Sequence, residues 1–138
     1  MQNTLMAYKK HNIGRAGEYL VAAMLSQIAD TVIIVPHSAT SDIIFEYKDK
    51  LYRCQVKTRA EFEESRLNWR FDLRRSSRKD RLYYENEIEI FALANLTYRN
   101  VIFLTNKNRT NMCQITIQDD HMKNNDPIKN LLNLVEAE

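Results

Sequence analysis

The sequence predicts an α+β domain with one mixed β-sheet and at least one helix packed on it. Residues 14–29 carry apolar side chains at helical spacing, residues 67–74 alternate strictly between apolar and polar side chains, and Asp126-Pro127 is typical of a helix start. The chain has 138 residues, which is enough for one domain with a hydrophobic core. We therefore treat residues 1–138 as a single domain.

The first predicted elements are a helix and a strand. In residues 14–29 an apolar stripe is formed by Leu20, Val21, Met24 and Ile28, as expected for one buried helix face. Residues 31–36 are a short β-branched run that predicts a buried strand.

A hairpin is predicted over residues 42–58, with a polar turn at residues 48–50. Asp42 could pair with Lys57 or with Gln55, and we expect a four-residue loop in either register. Because side chains alternate along a strand, both registers place Asp42, Gln55 and Lys57 on one face. Val56 points to the other face.

The second half of the chain predicts further strands and a closing helix. Residues 67–74 form a strand whose apolar side, Leu67, Trp69, Phe71 and Leu73, faces the core and whose polar side is mostly basic. Residues 76–84 form a charged loop, and residues 88–93, 101–105 and 113–117 are strand candidates. The first of these candidates remains ambiguous, since residues 91–94 are also compatible with a helix. The closing helix runs from Pro127 through Val135.

The overall composition is typical of a soluble globular domain rather than of a membrane or disulfide-rich protein. A hydrophobic fraction of 44% and a charged fraction of 28% are ordinary for soluble domains. Without an apolar run of membrane-spanning length or a signal-peptide stretch, we expect a cytoplasmic location. Cys54 and Cys113 lie on predicted strands without zinc-ligand spacing, and we expect reduced core residues rather than a disulfide.

Positive charge is concentrated in residues 53–82, which hold ten basic and five acidic residues, a net charge of +5 in a chain whose total is +2. The basic residues are Arg53, Lys57, Arg59, Arg66, Arg70, Arg74, Arg75, Arg78, Lys79 and Arg81. Arginine suits bidentate phosphate contacts, so the segment is a candidate nucleic-acid surface. A solvated basic face is the alternative interpretation.

Four residues are candidates for catalysis, and each has a simpler explanation when taken alone. Glu18 borders the apolar helix face, although it could merely reach solvent. Asp42 could end a turn, Gln55 could be a solvent-facing strand residue, and Lys57 could protect a strand edge. Gly14 and Gly17 are the only glycines, and their spacing of three would allow close approach of the helix backbone to the sheet or to DNA.

The conjunction of these residues resembles the PD-(D/E)xK nuclease superfamily. The resemblance rests on Gly14-Arg15-Ala16-Gly17-Glu18, then Ser41-Asp42, then Gln55-Val56-Lys57-Thr58, and it extends to the segment from Tyr84 to Leu93. It spans about residues 13 to 105 and is strongest to intron-type homing endonucleases of that superfamily, with Holliday-junction resolvases sharing the core. It implies a restriction-endonuclease-like core, a central mixed sheet flanked by helices.

The resemblance also implies a catalytic set and a cofactor. Asp42 would bind Mg²⁺ or Mn²⁺ together with Gln55 Oε1 and the Val56 carbonyl, and Glu18 would hold a water on the metal or a second metal. Lys57 would orient the attacking water. The sequence departs from the pattern in two places: Ser41 stands where proline is usual, and Gln55 replaces an acid, which leaves open a weaker or inactive site.

The expected function is therefore a metal-dependent DNA endonuclease that hydrolyses phosphodiester bonds. A Holliday junction resolvase and a catalytically inactive nuclease-like DNA-binding protein are the alternatives. The expected partner is double-stranded or branched DNA, contacted by Arg59, Arg70, Arg74, Arg75 and Arg78. One active site cuts one strand, so we expect a homodimer or homotetramer.

Overall fold

The computed structural model describes residues 10–36, 40–61, 67–74, 87–107 and 113–137. Its elements, in chain order, are α1 (Lys10–Leu25), β1 (Thr31–Ile34), β2 (Ile43–Tyr47), β3 (Lys50–Arg59), β4 (Asn68–Asp72), β5 (Ile90–Asn95), β6 (Asn100–Thr105), β7 (Gln114–Gln118), α2 (Asp119–Asn124) and α3 (Pro127–Val135). The predicted α+β class is confirmed. Helix α1 begins four residues before its predicted start and ends at Leu25, and α2 was not predicted.

The strands form two sheets rather than the one that we expected. Five strands lie in the order β1-β2-β3-β5-β6, in which β3 and β5 run parallel and all other neighbours antiparallel. Strands β4 and β7 pair only with each other, as an antiparallel two-stranded sheet. We call this second sheet the β4–β7 ribbon.

The hairpin between β2 and β3 is tighter than expected. Its ladder runs from Ile43–Cys54 to Tyr47–Lys50, so the turn contains two residues rather than four. Lys48 and Asp49 fill it with φ angles of 49° and 65°, the left-handed values that a two-residue type I′ turn requires. The register excludes the pairing of Asp42 with Lys57.

One face of the five-stranded sheet, the helix side, is covered by α1 and α3. Val21 and Leu25 of α1 and Leu131 and Val135 of α3 pack there. The strands contribute Ile43, Phe45, Tyr52, Cys54, Val56, Ile90, Ala92, Ala94, Val101 and Phe103. This is the larger of the two apolar clusters and the reason why α1 and α3 have buried faces.

The opposite face, the ribbon side, is covered by the β4–β7 ribbon and α2. Its cluster contains Trp69, Phe71, Leu73, Ile88, Phe91, Leu93, Ile102, Ile117 and Met122. The predicted alternation of β4 is confirmed for Trp69, Phe71 and Leu73, which are buried. It is wrong for Leu67, which is 79% exposed because it lies before the first ladder pair of the ribbon, Asn68–Gln118.

Helix α3 starts as predicted and also covers one margin of the sheet. The Asp126 carboxylate accepts a hydrogen bond from Lys129 N at 3.1 Å, and Pro127 occupies the first turn. Farther along, Asn130 Oδ1 accepts from Phe103 N at 2.6 Å and Asn130 Nδ2 donates to Phe103 O at 3.0 Å. The amide of Asn130 thus takes the place of a neighbouring strand beside β6.

The cysteines are both free, and only one of them belongs to the core. Cys54 is buried among the helix-side residues, and burial, reinforced by the charge of Asp42, raises the pKa of its thiol. Cys113 is exposed, contrary to our expectation, because it precedes β7 at the end of the ribbon. Within the described residues no helix is long and apolar enough to span a membrane.

Candidate functional site

Asp42 is fixed by its neighbours on both sides. Its backbone N donates to Cys54 O at 3.0 Å, and its carbonyl accepts from Val35 N at 2.9 Å. Its side-chain Oδ2 accepts from Val56 N at 2.9 Å. Hydrogen bonds from backbone amides to a carboxylate are short and strong, so β3 sets the orientation of this half-buried carboxylate, while Val35 and Cys54 hold the Asp42 backbone.

Gln55 lies opposite Asp42, one step beyond the ladder pair Ile43–Cys54. This is one of the two predicted registers. Gln55 is only 7% exposed, and its Oε1 is buried without a hydrogen-bond partner in the described part of the chain. A buried polar atom left unpaired costs about 1–3 kcal/mol, and an amide oxygen is a good ligand for a hard divalent cation. The residue present here therefore fits a Mg²⁺ or Mn²⁺ ligand.

Lys57 follows on the same face of β3 as Gln55, as the alternation predicted. Its Nζ donates to the Arg74 carbonyl at 2.6 Å. Val56, between them, turns its side chain to the helix side and is buried there. The ammonium of Lys57 is thereby held between the five-stranded sheet and the end of β4.

Glu18 belongs to the helix side, because α1 packs on the face opposite to Gln55 and Lys57. It is half-buried and borders a cleft whose lining residues are Arg15, Glu18, Tyr19, Ile34, Val35 and Pro36. Val35 is the residue whose N–H donates to the Asp42 carbonyl. Glu18 and Val35 thus line the same cleft, and the proposed role of Glu18 with the metal stays a prediction.

The close approach of α1 to β3 is confirmed at Gly17. A Cβ at Gly17 would lie 1.9 Å from Thr58 Oγ1 and 2.8 Å from Thr58 Cβ, so only glycine allows this contact. A Cβ at Gly14 would meet nothing within 4 Å, so Gly14 is not needed for packing. Since Thr58 follows Lys57, the contact at Gly17 fixes the distance between α1 and the site strand.

Among the described residues, no group of three histidine, cysteine, aspartate or glutamate side chains gathers at metal-binding distance. A metal at this site would therefore depend on the Gln55 amide and on a backbone carbonyl in addition to Asp42. This donor set carries less negative charge than one with a second acid in place of Gln55.

The arginines that were predicted to contact DNA have different surroundings. Arg70 is exposed on β4, whereas Arg59 Nη1 donates to the Arg70 carbonyl at 3.1 Å. Arg74 forms an ion pair with Asp72 at 2.8 Å, and this contact raises the pKa of Arg74. Arg75 and Arg78 lie outside the described residues, so their prediction stays open.

An ion pair that the sequence did not suggest lies beside the site. Arg53, two residues before Gln55 on the same face, binds the Glu89 carboxylate through Nε, at 3.1 Å to both oxygens, and through Nη2. Glu89 Oε1 also accepts from Arg53 N at 2.6 Å. The pair joins β3 to the residue before β5. Neither partner stands out in the sequence, because the contact joins residues 36 positions apart.

Comparison with known proteins gives a likeness to solved structures. No protein-family model matches the chain, and no curated protein is similar to it in sequence. Among solved structures, it is similar to "a bacterial homing endonuclease: I-Ssp6803I", with a TM-score of 0.66 and 14% identity over 93% of each chain. At this identity the likeness shows the fold: a central mixed sheet flanked by helices, as expected from the sequence.

Proposed function

We propose that this protein is a metal-dependent DNA endonuclease that hydrolyses phosphodiester bonds, and that Asp42, Gln55 and Lys57 form its active site. The observation that carries the proposal is the buried, unpaired Gln55 Oε1 opposite the fixed carboxylate of Asp42. The fold of a homing endonuclease supports DNA as the substrate. The proposed assembly is a homodimer or homotetramer, because one site of this kind cuts one strand.

The proposed active-site residues have separate roles in metal binding and in phosphodiester hydrolysis. Asp42 and Gln55 would hold Mg²⁺ or Mn²⁺ through oxygen atoms, with the Val56 carbonyl as a further ligand, and Glu18 on α1 would hold a water on the metal or a second metal. The metal supplies Lewis-acid stabilisation of the charge that develops at phosphorus. Lys57 has three N–H donors. One is held by the Arg74 carbonyl, and the others orient the attacking water and donate to the phosphate oxygens.

The proposal is tested by cleavage of supercoiled plasmid, linear duplex and a synthetic four-way junction in Mg²⁺, Mn²⁺ or EDTA. We expect cleavage only with metal. Asp42→Asn keeps an acceptor for Val56 N–H, and Lys57→Met keeps the aliphatic stem. Both should lower the cleavage rate by about 10²–10⁴-fold while circular dichroism and DNA affinity stay close to the parent.

Lys129→Ala is the matched control, since Lys129 is exposed on α3, on the helix side. Parent-like cleavage by both site variants would refute the assignment. Cleavage confined to the four-way junction would identify the resolvase alternative.

A nuclease-like DNA-binding protein without catalysis is the second candidate. It is favoured by the engagement of Lys57 with the Arg74 carbonyl and by the missing charge at Gln55. Tight duplex binding without cleavage in either metal would identify it. In that case Gln55→Glu is the variant with which to seek cleavage.

A further inference from the structure

The β4–β7 ribbon has two chemically different faces. Its ladder pairs are Asn68–Gln118, Trp69–Ile117, Arg70–Thr116, Phe71–Ile115 and Asp72–Gln114. Trp69, Phe71 and Ile117 are buried against the five-stranded sheet, and Ile115 packs against them. Because side chains alternate, the outer face presents Asn68, Arg70, Asp72, Gln114, Thr116 and Gln118.

The composition of this outer face is unusual for a solvated surface. It contains neither lysine nor glutamate, the residues that dominate ordinary exposed faces. Asp72 is paired with Arg74, which leaves one guanidinium, three amides and one hydroxyl. In the major groove, arginine contacts O6 and N7 of guanine, and asparagine or glutamine contacts N6 and N7 of adenine. The threonine hydroxyl can bond either type of base, and its methyl group can pack on the methyl group of thymine.

The ribbon is held rigidly from below. Trp69 Nε1 donates to Asp119 Oδ1 at 2.9 Å, and Tyr98 OH donates to the same oxygen at 2.6 Å. The rings of Trp69 and Tyr98 meet edge to face with centroids 5.8 Å apart. Asp119 N also donates to Leu67 O at 3.1 Å. A surface fixed in this way loses little conformational entropy when a ligand binds.

The ribbon also lies next to the proposed catalytic site. Lys57 Nζ contacts the Arg74 carbonyl, and Arg59 Nη1 contacts the Arg70 carbonyl. Both carbonyls face the edge of β4 that is not paired with β7. Arg70 and Arg74 are separated by about 13 Å along an extended strand, which corresponds to about four base-pair steps of DNA.

We propose that the outer face of the β4–β7 ribbon enters the major groove of duplex DNA and recognises bases within about four base pairs of the cleaved bond. A two-stranded ribbon fits this groove, which is about 12 Å wide. Arg70 and Thr116 form its central pair and recognise adjacent bases. The inference rests on the proposed function for its substrate, duplex DNA, but not on catalysis.

The test measures sequence preference without cleavage. Parent, Arg70→Ala, Thr116→Ala and Gln118→Ala are each incubated with a randomised duplex DNA library in EDTA, and the bound fraction is sequenced. The parent should select a defined sequence. Arg70→Ala should discriminate between bases at one position of the DNA about 5- to 150-fold less than the parent, the equivalent of about 1–3 kcal/mol. Lys129→Ala should select the same DNA sequence as the parent.

Arg70→Ala also separates base recognition from a phosphate contact. A base contact leaves the other positions unchanged, whereas a lost phosphate contact weakens all sequences equally and lowers the slope of log K against log salt by about 0.9. The second result overturns the inference. Fluorescence of Trp69, the single tryptophan, shows whether each variant keeps the ribbon folded.

Failure of the inference differs from failure of the proposed function. A parent that selects a sequence in EDTA but never cleaves in Mg²⁺ leaves ribbon recognition standing and refutes catalysis. A parent that cleaves in Mg²⁺ without base preference, or whose preference survives all three ribbon substitutions, refutes ribbon recognition alone. No duplex binding, or selective binding of RNA instead, overturns both.

Discussion

The two faces of the five-stranded sheet are organised in opposite ways. The helix side is lined mainly by apolar side chains, among them Cys54 and Val56, and the polar side chain that β3 contributes there is Thr58, whose buried Oγ1 faces Gly17. The ribbon side interrupts its apolar cluster with Arg53, Gln55 and Lys57. The difference teaches that a single strand, β3, contributes to stability on one face and carries the proposed chemistry on the other, so substitutions at adjacent residues, such as Val56 and Lys57, should have different consequences.

The largest expected effect on stability compares one phenylalanine on each face. Phe103 is buried on the helix side, and Phe91 is buried on the ribbon side as the register partner of Gln55. Phe103→Ala and Phe91→Ala should each lower the free energy of unfolding by about 3–5 kcal/mol in urea titrations. Only Phe91→Ala should also weaken the stabilisation by Mg²⁺. If Mg²⁺ raised the free energy of unfolding equally in both variants, the two faces would not be functionally distinct.

A smaller effect is expected where the helix touches the site strand. Gly17→Ala places a Cβ against the Thr58 side chain, and the overpacking should cost about 1–3 kcal/mol. Gly14→Ala is the matched control: its site is open, and it should gain about 0.5–1 kcal/mol from helix propensity. Thermal denaturation measures both changes. A neutral Gly17→Ala would show that α1 can move away without loss.

These two glycines mark a limit of prediction from sequence. Their spacing indicated close backbone approach at both, yet only Gly17 faces a neighbour, since the direction of a helix residue depends on how the helix lies on the sheet. The alternation in β4 likewise predicted its buried face correctly but not its partner. A period of two defines which side chains are buried, and the pairing of β4 with β7 depends on contacts far apart in the chain.

The site was predictable to a similar degree. The shared face of Gln55 and Lys57 followed from alternation, whereas the hairpin register was left open because Lys48 and Asp49 are not the glycine or asparagine that usually indicates a two-residue turn. The contact of Lys57 with the Arg74 carbonyl has no sequence signature, because every residue has a carbonyl. The position of Glu18 relative to Asp42 could not be derived either, because it depends on how α1 packs on the sheet.

A further prediction uses Gln55 to separate stability from metal binding. Gln55→Met removes the unpaired Oε1 and should raise the free energy of unfolding by about 1 kcal/mol without metal. It should also abolish the increase in stability that Mg²⁺ causes in the parent. Gln55→Glu places a second carboxylate opposite Asp42. It should be less stable than the parent in EDTA, because like charges repel, and more strongly stabilised by Mg²⁺.

Differential scanning calorimetry across a Mg²⁺ titration measures these shifts. If Gln55→Ala were to cleave DNA as well as the parent at every Mg²⁺ concentration, Gln55 would not be a ligand. Lys129→Ala again serves as the control for unspecific effects of substitution.

The smallest effect concerns the support beneath the ribbon and depends on pH. Hydrogen bonds from Tyr98 and Trp69 lower the pKa of Asp119, so this stabilisation is present above the ordinary aspartate pKa and is lost as the pH falls through the folded value. The same contact raises the pKa of Tyr98 to about 12. Its contribution is complete below the ordinary tyrosine pKa and is lost as the pH rises from there through the folded pKa of about 12.

Asp119→Asn should therefore be less stable than the parent at pH 7, by about 1 kcal/mol. The difference should shrink as the pH falls below about 4, because the aspartate then takes up a proton in the unfolded chain before it does so in the folded protein. Trp69 fluorescence during urea unfolding measures it at each pH. A difference that does not change between pH 3 and pH 7 would show that the charge of Asp119 contributes nothing.

The two margins of the five-stranded sheet have a consequence for association between chains. At β6 the Asn130 amide occupies both hydrogen-bonding groups of Phe103, and Asn125 Nδ2 donates to Val101 O at 2.8 Å. At the other margin β1 is the terminal strand of the described sheet, and Ile33 is 53% exposed. Within the described part of the chain, we therefore expect strand addition by another chain to be easier at β1 than at β6. If molecules of this protein aggregate by pairing strands, we expect the new strand to add at β1, the margin whose end lies next to Asp42.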